Sequence, residues 1–477
     1  MEKVRTRFAP SPTGFMHLGG LRTALYAYLY AKHNGGDFIL RIEDTDKERF
    51  VEGALEVIYS SLLNSGLVYD EGPDKGGNYG PYVQSERKAL YLDYAKKLVE
   101  LGGAYYCFCS KERLESLTDE NGNRKYDKHC LKLSKEEVER RINAGEPYVI
   151  RQNIPTSGTS SYEDLIYGTI EVDYNELEDN ILIKSDGMPT YNFANVIDDH
   201  LMGITHVIRG TEYLSSTPKY NLMYDAFSWK RPVYIHLPTI MKDATRKLSK
   251  RYGDANFDDF ISKGFLEEAI INYVALLGWC PKNNAEIMTM SEMIDLFDLS
   301  GISKSPSIFD EVKLRWLNGE YLKAMPDEEF LTRAMPFFEK TELYGKYDIG
   351  KIAKIIKSRI EVLSDIQSIT AFIAKTPNVD KALYENQKQK TTIDMAKALL
   401  PLIINKVEEI SDFTNSTIFE TLSNVARENE VKPKQLFWIM RIAITGQEVT
   451  PGGATEIAEI LGKEECLARL NKAVSEI

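Results

Sequence analysis

Between Phe8 and Lys32 the chain reads FAPSPTGFMHLGGLRTALYAYLYAK, with two prolines, a Thr–Gly turn and a histidine beside paired glycines set against an apolar helix-forming run. Proline fixes φ and glycine releases it, so together they dictate a tight, non-repeating backbone path. Gly19 and Gly20 fall where the helix begins. A helix start presents unpaired N–H groups with positive dipole character, and that geometry accepts phosphate readily. Standing alone, such a stretch is an ordinary strand-to-helix turn.

Its neighbours give it a setting. A short strand begins at Val4, the helix runs through about Lys32, and a second strand, DFILRIEDTD, follows the turn at His33–Gly36. Strand, helix, strand is the opening of a parallel α/β unit. A helix over about Val51–Asn64, a Gly/Pro-rich loop and a long helix to about Leu101 come next. A cysteine-containing segment then interrupts the pattern. Strand-like alternation from about Pro147 to Ile183 has turns at Ser157–Gly158 and Tyr167–Gly168, and the α/β pattern resumes at PTYNFANVIDDHLMGITHVIRG. The middle thus reads as an insertion within one nucleotide-binding-type sheet. After about Phe257 helical periodicity dominates, with breaks near Ser305–Pro306, Met325–Pro326, Thr376–Pro377 and Pro451–Gly453.

Two to five domains suit 477 residues, and 43% apolar with 27% charged residues is an ordinary globular composition. No apolar run reaches membrane-spanning length, and MEKVRTRF lacks the apolar core of a signal peptide, so the expected setting is cytoplasmic, away from any membrane. Five cysteines, three of them between Cys107 and Cys130, point to reduced thiols or a metal site rather than a disulfide framework. The formal charge of −12 bears on solubility and leaves room for local basic faces, of which Lys313–Arg315 and the helix-like Lys351, Lys354, Lys357 and Arg359 are candidates.

A second basic element lies more than two hundred residues after the first glycine pair: Lys247, Leu248, Ser249, Lys250 and Arg251 within MKDATRKLSKRYGD. Cations and a hydroxyl on one loop can neutralise the charge that develops as a phosphoanhydride is cleaved. Either element alone is a weak signal; in this order, with a strand before the first and the α/β portion ending at the second, they are specific.

The pair resembles the HIGH and KMSKS elements of class I aminoacyl-tRNA synthetases. RFAPSPTG, RIEDTD, DEGP and GPYVQSER, SDGMPTYNFANVIDDHLMGITHVIRG, KLSKR, KLRWLNGEYL and TGQEVTPGG narrow the resemblance to bacterial glutamyl-tRNA synthetases, over essentially the whole chain. Gly20 replaces the second histidine of the class-wide pattern. The resemblance implies an α/β Rossmann-type catalytic domain at 1–85 and 190–240, with an inserted α+β acceptor-end-binding domain at 86–189. A stem-contact region at 241–325 and an all-α anticodon-binding half, divided at 326–380 and 381–477, would follow. It implies ligation of L-glutamate to tRNA(Glu) by a monomer using ATP with Mg²⁺. A glutaminyl relative with β-barrel anticodon domains fits the helical back half poorly, and a small-metabolite adenylyltransferase would not need that half.

Carried over residue by residue, the resemblance assigns His17, Lys247 and Lys250 to catalysis. Pro10, His17, Gly19, Gly20, Glu212 and Lys250 fall to ATP, and Arg7, Ala9, Ser11, Glu43, Tyr191, Asn195 and Arg209 to glutamate. The chemistry suits them: arginines bind carboxylates bidentately, Glu43 can meet an ammonium, and Tyr191 and Asn195, four apart, can share a helix face. Which arginine takes which carboxylate stays open. Without the resemblance, Arg7 with Glu43 would read as a structural ion pair. Arg359 aligns with a position that inspects the third anticodon base, against the simpler reading of a surface arginine. The family's zinc pattern C-x-C…Y-x₃-C matches Cys107, Cys109, Tyr126 and Cys130, implying a structural Zn²⁺. His129 is the chemically more attractive fourth ligand, but adjacent to Cys130 it would have difficulty reaching the same ion.

Overall fold

Strand β1 (Arg5–Phe8) has the sequence RTRF, and all four residues are buried although two are arginines. It leads into α1 (Leu18–His33) and then β2 (Asp37–Leu40), which pairs with it in parallel, Arg5 opposite Asp37 and Phe8 opposite Leu40. The register places Asp37 where it can accept from Arg5 (2.9 Å), and Glu71 takes the same guanidinium at 3.1 Å. Helix α1 is enclosed on most sides, with Leu18, Leu21, Leu25 and Leu29 fully buried. Each such side chain contributes about 1.5–3 kcal/mol. That outweighs the cost of about 0.5–1 kcal/mol for each of Gly19 and Gly20 in a helix.

The computed structural model describes residues 2–46, 51–117, 126–248 and 256–477. Two compact units emerge, Met1–Ile261 with Glu267–Asp310 and Ser262–Leu266 with Glu311–Ile477. In the first, the chain continues through α2 (Ala54–Asn64), α3 (Lys88–Glu100), β3 (Ala104–Cys107), α4 (Lys111–Glu115), α5 (Lys135–Asn143), β4 (Val149–Gln152) and β5 (Thr159–Asp164). Then come β6 (Gly168–Asp173), β7 (Ile181–Ile183), α6 (Tyr191–Leu201), β8 (His206–Gly210), α7 (Thr217–Ala226) and β9 (Val233–Leu237).

Strands run in the order β6-β5-β9-β8, with β8 and β9 parallel and β5 joined to β9 through Asp164 opposite Tyr234. The Thr205 amide donates to the Arg5 carbonyl at 3.0 Å, which holds β1 beside β8. A separate antiparallel sheet, β3-β4-β7, packs its Ala104, Ile150 and Leu182 with Tyr91, Leu98, Phe193, Tyr220 and Tyr224 in one buried cluster. Residues 86–189 therefore feed two sheets: β3, β4 and β7 stand apart, while the β5–β6 hairpin extends the parallel one.

The second unit is helical. Glu311–Ala324, Asp327–Phe338, Ile349–Ile356, Asp365–Ile369 and Ala371–Ala374 precede five longer-packed helices between Ile393 and Glu476. The chain breaks where its prolines foretell, at Pro326, Pro377 and Pro451. Arg469, fully buried, donates to the carbonyls of Phe372, Ile373 and Ile444 at 2.7–2.9 Å and so ties three segments together. The supposed basic helix faces are largely neutralised. Lys351 pairs with Glu459 (2.9 Å), Lys357 with Asp327 (2.7 Å), and Arg315 with both Glu361 and Asp365. Arg359 is not on that helix at all; it is exposed in the turn that follows, its amide bonded to the Ile356 carbonyl. Among the described residues no helix is long and apolar enough to cross a membrane.

Candidate active site

A cavity of about 490 Å³ opens at the carboxyl ends of β1 and β8, where ligands bind in open α/β sheets. Arg7, Ala9 and Ser11 reach it from β1 and the rigid turn, and Gly20 and Thr23 from the first turns of α1. Glu43, Thr45 and Asp46 follow β2, Tyr191 stands at the start of α6, and Arg209, Glu212 and Tyr213 close the far side. The ends of β1 and β2 and the residues just after them meet here because the Phe8 and Pro10 carbonyls accept the amides of Arg41 and Glu43, both at 3.0 Å.

The floor is a charge network. Asp199 accepts from Arg7 Nε at 3.0 Å and from Arg41 Nη1 at 2.7 Å, while Arg41 Nη2 holds Glu43 at 2.9 Å. The structural pairs are thus Arg7 with Asp199 and Arg41 with Glu43, not Arg7 with Glu43. Burial pushes the Glu43 carboxyl up from its ordinary value, against the pull of Arg41 and Arg7. For Asp199 burial acts in the same direction, but Arg7 and Arg41 overcome it and hold the carboxyl low. Below, Asp198 gathers Arg87, Gln84 and Tyr91 at 2.8–2.9 Å.

Arg209 is bound differently. Its Nε donates to His236 Nε2 at 3.1 Å and its Nη2 to Thr217 Oγ1 at 2.7 Å, with the rings of Tyr213, Tyr220 and Tyr234 at 4.8–5.6 Å. No carboxylate lies within salt-bridge distance of it among the described residues. Burial pulls this guanidinium down, and Tyr220, Tyr191, Tyr234 and Asp199 more than restore it. Burial likewise keeps the Tyr191 phenol neutral, well above its ordinary value.

The other site candidates fall around this cavity. His17 caps α1, its Nδ1 accepting the Gly19 amide at 3.0 Å, so the proton of a neutral imidazole sits on Nε2. A Cβ at Gly19 would come within 3.2 Å of that imidazole, which gives the glycine a reason in the protein itself. Pro10 contributes a carbonyl to the scaffold rather than a wall. Asn195 is buried one helical turn beyond Tyr191 and spends its amide on the Tyr191 carbonyl (2.6 Å), outside the lining. Lys247 is exposed, bridged to Met241, and Lys250 with Ser249 and Arg251 lies outside the described residues. Where the chain is next described, Asn256 bridges to His17 and the Phe257 amide donates to the Met16 carbonyl at 3.1 Å. The chain that follows the basic element therefore returns to the glycine-rich turn.

Sequence reasoning missed Arg41, Asp199, Thr45, Asp46, Tyr213 and His236. Arg41, Thr45 and Asp46 stood in the RIEDTD element without a role, and Asp199 left a trace as one of two adjacent acids on an otherwise apolar helix, where buried charge demands a cation.

A second cluster lies at the end of β3. The sulfurs of Cys107, Cys109 and Cys130 are within 4.8 Å of one another, and the Tyr126 hydroxyl is 3.3 Å from Cys107 and 3.4 Å from Cys109. Zinc–sulfur bonds of about 2.3 Å in a tetrahedron put ligands about 3.8 Å apart, so these four groups fit one ion. Each sulfur also has an N–H donor: Arg151 on Cys107, Arg113 on Cys109 and the Phe108 amide on Cys130. The Cys130 hydrogen bond, against burial, and then Tyr126, the Cys109 amide and Arg151 hold the Cys107 thiol well below its ordinary value. His129 points no ring into the cluster's hydrogen bonds and is exposed.

Residues 3–316 match the family profile described as tRNA synthetases class I (E and Q), catalytic domain, and residues 329–474 match an anticodon binding domain. Fold and site together define a class I aminoacyl-tRNA synthetase. The glutamate–tRNA ligase of Clostridium kluyveri is 55% identical over 100% of this chain and 99% of its own length. A solved glutamate–tRNA synthetase from Elizabethkingia anophelis is 38% identical with a TM-score of 0.90, covering 99% of this chain and 100% of that one. A glutamate–tRNA ligase from Elizabethkingia meningosepticum, crystallised with its amino acid, gives 37% and 0.88, covering 99% of each chain. The chain belongs to the glutamate–tRNA ligase family.

Proposed function

We infer that the chain ligates L-glutamate to tRNA(Glu) in two steps. The α-carboxylate oxygen attacks the α-phosphorus of Mg·ATP, forming glutamyl-adenylate as pyrophosphate leaves. A hydroxyl of the terminal adenosine of tRNA then attacks the acyl carbon and AMP departs. No side-chain nucleophile is needed, so positioning and charge stabilisation supply the acceleration.

The observation that carries this reading is the single cavity that holds Arg7, Arg209 and Glu43 beside the start of α1. Glutamate brings two carboxylates and an ammonium. Asp199 already balances Arg7, whereas Arg209 faces the cavity with its charge uncompensated, which favours Arg209 as the principal carboxylate anchor. Glu43 takes the ammonium, whose approach offsets the burial that raises its carboxyl. Tyr191 offers a neutral hydroxyl, with Ala9 and Ser11 on the turn side and Asn195 supporting Tyr191. The Nε2–H of His17 and the free amides at the start of α1 meet the phosphates. Gly19, Gly20 and Glu212 shape the nucleotide side, Pro10 holds the turn beside it through its carbonyl, and Lys247 and Lys250 neutralise the pyrophosphate as it leaves.

Cys107, Cys109, Tyr126 and Cys130 hold a structural zinc that orders the acceptor-end region, and exposed Arg359 reads an anticodon base. Five unpaired cysteines suit a reducing cytoplasm, and the enzyme acts as a single chain. Aminoacylation of separated glutamate and glutamine tRNAs with labelled glutamate tests the assignment. The glutamate tRNA should be charged in an ATP-dependent reaction; failure to charge either would overturn it.

A further inference from the structure

Arg209 is held by a chain of hydrogen bonds that runs away from the cavity into the sheet. Asp164, at the end of β5, is buried, and its Oδ2 lies 2.7 Å from His236 Nδ1 on β9 and 3.1 Å from the His236 amide. Its Oδ1 accepts the amides of Ile166 and Tyr167, both at 2.9 Å, so the carboxylate is fixed on two sides by the β5–β6 turn. His236 is fully buried, and its Nε2 is the atom that faces Arg209 Nε.

The donors and acceptors along this path admit one arrangement. A carboxylate accepts only, so Nδ1 of His236 carries the proton. In a neutral imidazole Nε2 is then a bare acceptor, matched to the N–H of Arg209. On the other side, Thr217 Oγ1 donates to the Tyr213 carbonyl at 2.8 Å and keeps a lone pair for Arg209 Nη2. Two of the five N–H groups of Arg209 are thereby committed to uncharged partners, which leaves three, and the full positive charge, for the cavity.

We propose that Asp164 and His236 are positioning residues for the amino-acid site: the aspartate selects the imidazole tautomer, and the imidazole fixes the Arg209 fork without spending its charge. A carboxylate in the place of His236 would hold the arginine equally well but neutralise it, as Asp199 does for Arg7. A protonated imidazole would set a donor against a donor. The device deepens the reading of the cavity as a glutamate site and rests on it.

Two variants separate the halves of the device. His236→Asn places an amide donor near the Nδ1 position, within reach of Asp164, and removes the acceptor for Arg209. His236→Gln places its amide near Nε2, where the oxygen can accept from Arg209. KM for glutamate should rise about tenfold or more in His236→Asn, and His236→Gln should recover most of that loss. KM for ATP should change little in either. Equal defects in both variants, or none in His236→Asn, would overturn the proposal. Should His236→Asn not fold, ¹⁵N NMR of the imidazole in the intact enzyme decides: the Nδ1–H tautomer is expected, and Nε2–H would overturn it. Absence of glutamate charging by the unaltered enzyme would instead sink the underlying reading, whatever the tautomer.

Discussion

Arg7 and Arg209 reach the same cavity with their charges accounted for in opposite ways. Arg7 is locked to Asp199 through Nε and Nη2, and Asp199 also serves Arg41. Removing one member of a buried pair leaves a charge without its partner, at a cost of about 3–5 kcal/mol. Arg7→Ala should therefore lose about 3 kcal/mol or more of stability in urea denaturation, besides weakening glutamate binding. A variant with unchanged stability would mean that Arg41 alone satisfies Asp199. His236 gives a second expectation. Burial, helped by the Arg209 charge and opposed by Asp164 and Glu212, holds the imidazole below its ordinary 6.5. Tyr234 on its own strand and Thr217 complete its surroundings without adding a charge near neutrality. The unfolded chain binds a proton that the folded chain refuses, so this group's stabilisation is full above 6.5 and declines as pH falls below it. Comparing urea midpoints at about pH 7.5 and about pH 5.5, His236→Gln should lose less on acidification than the unaltered enzyme. An equal loss would place the titration elsewhere.

At the scale of elements, the first α/β unit was legible because its signals are local. Proline and glycine fix the turn, and the helix begins at the residue after His17. The breaks between the C-terminal helices were legible for the same reason. What local pattern does not encode is partnership across the sheet. Arg7 and Asp199 are 192 residues apart, and the β5–β6 hairpin joins the parallel sheet through one register position, Asp164 opposite Tyr234. Arg359 was misplaced onto a helix because Ile356 and Ile360 keep the apolar spacing past the point where the backbone turns. The cysteine cluster combines both situations: C-x-C on a strand is visible, whereas the turn that returns Cys130 depends on Lys128, at φ 56°, anchored to Asp179 at 2.8 Å. Protein purified without chelator should contain about one zinc per chain, and strong chelation should lower its melting temperature. Metal-free protein with freely titratable thiols would refute the zinc assignment.

For the whole molecule, an overall charge of −12 coexists with a site in which Arg209 is held by uncharged partners, so net charge says little about the substrate. Division into an α/β front and a helical back was readable from periodicity alone. That the glycine-rich turn and the basic loop belong together rests on their order and on the resemblance, since some 230 residues of chain lie between His17 and Lys247. On the reading proposed above, two arginines and Glu43 make this cavity a site for an amino acid with two carboxylates. Glutamine differs only by an amide, whose NH₂ would point a donor at a donor-only guanidinium. Such a mismatch inside a buried site can discriminate by roughly 10⁴ or more, where a difference of size alone gives far less. The direct measurement is competitive aminoacylation of the cognate tRNA with equal glutamate and glutamine, the tRNA present throughout. Glutamate should be incorporated almost exclusively; comparable incorporation of the two would contradict the assignment of the arginines and of the site.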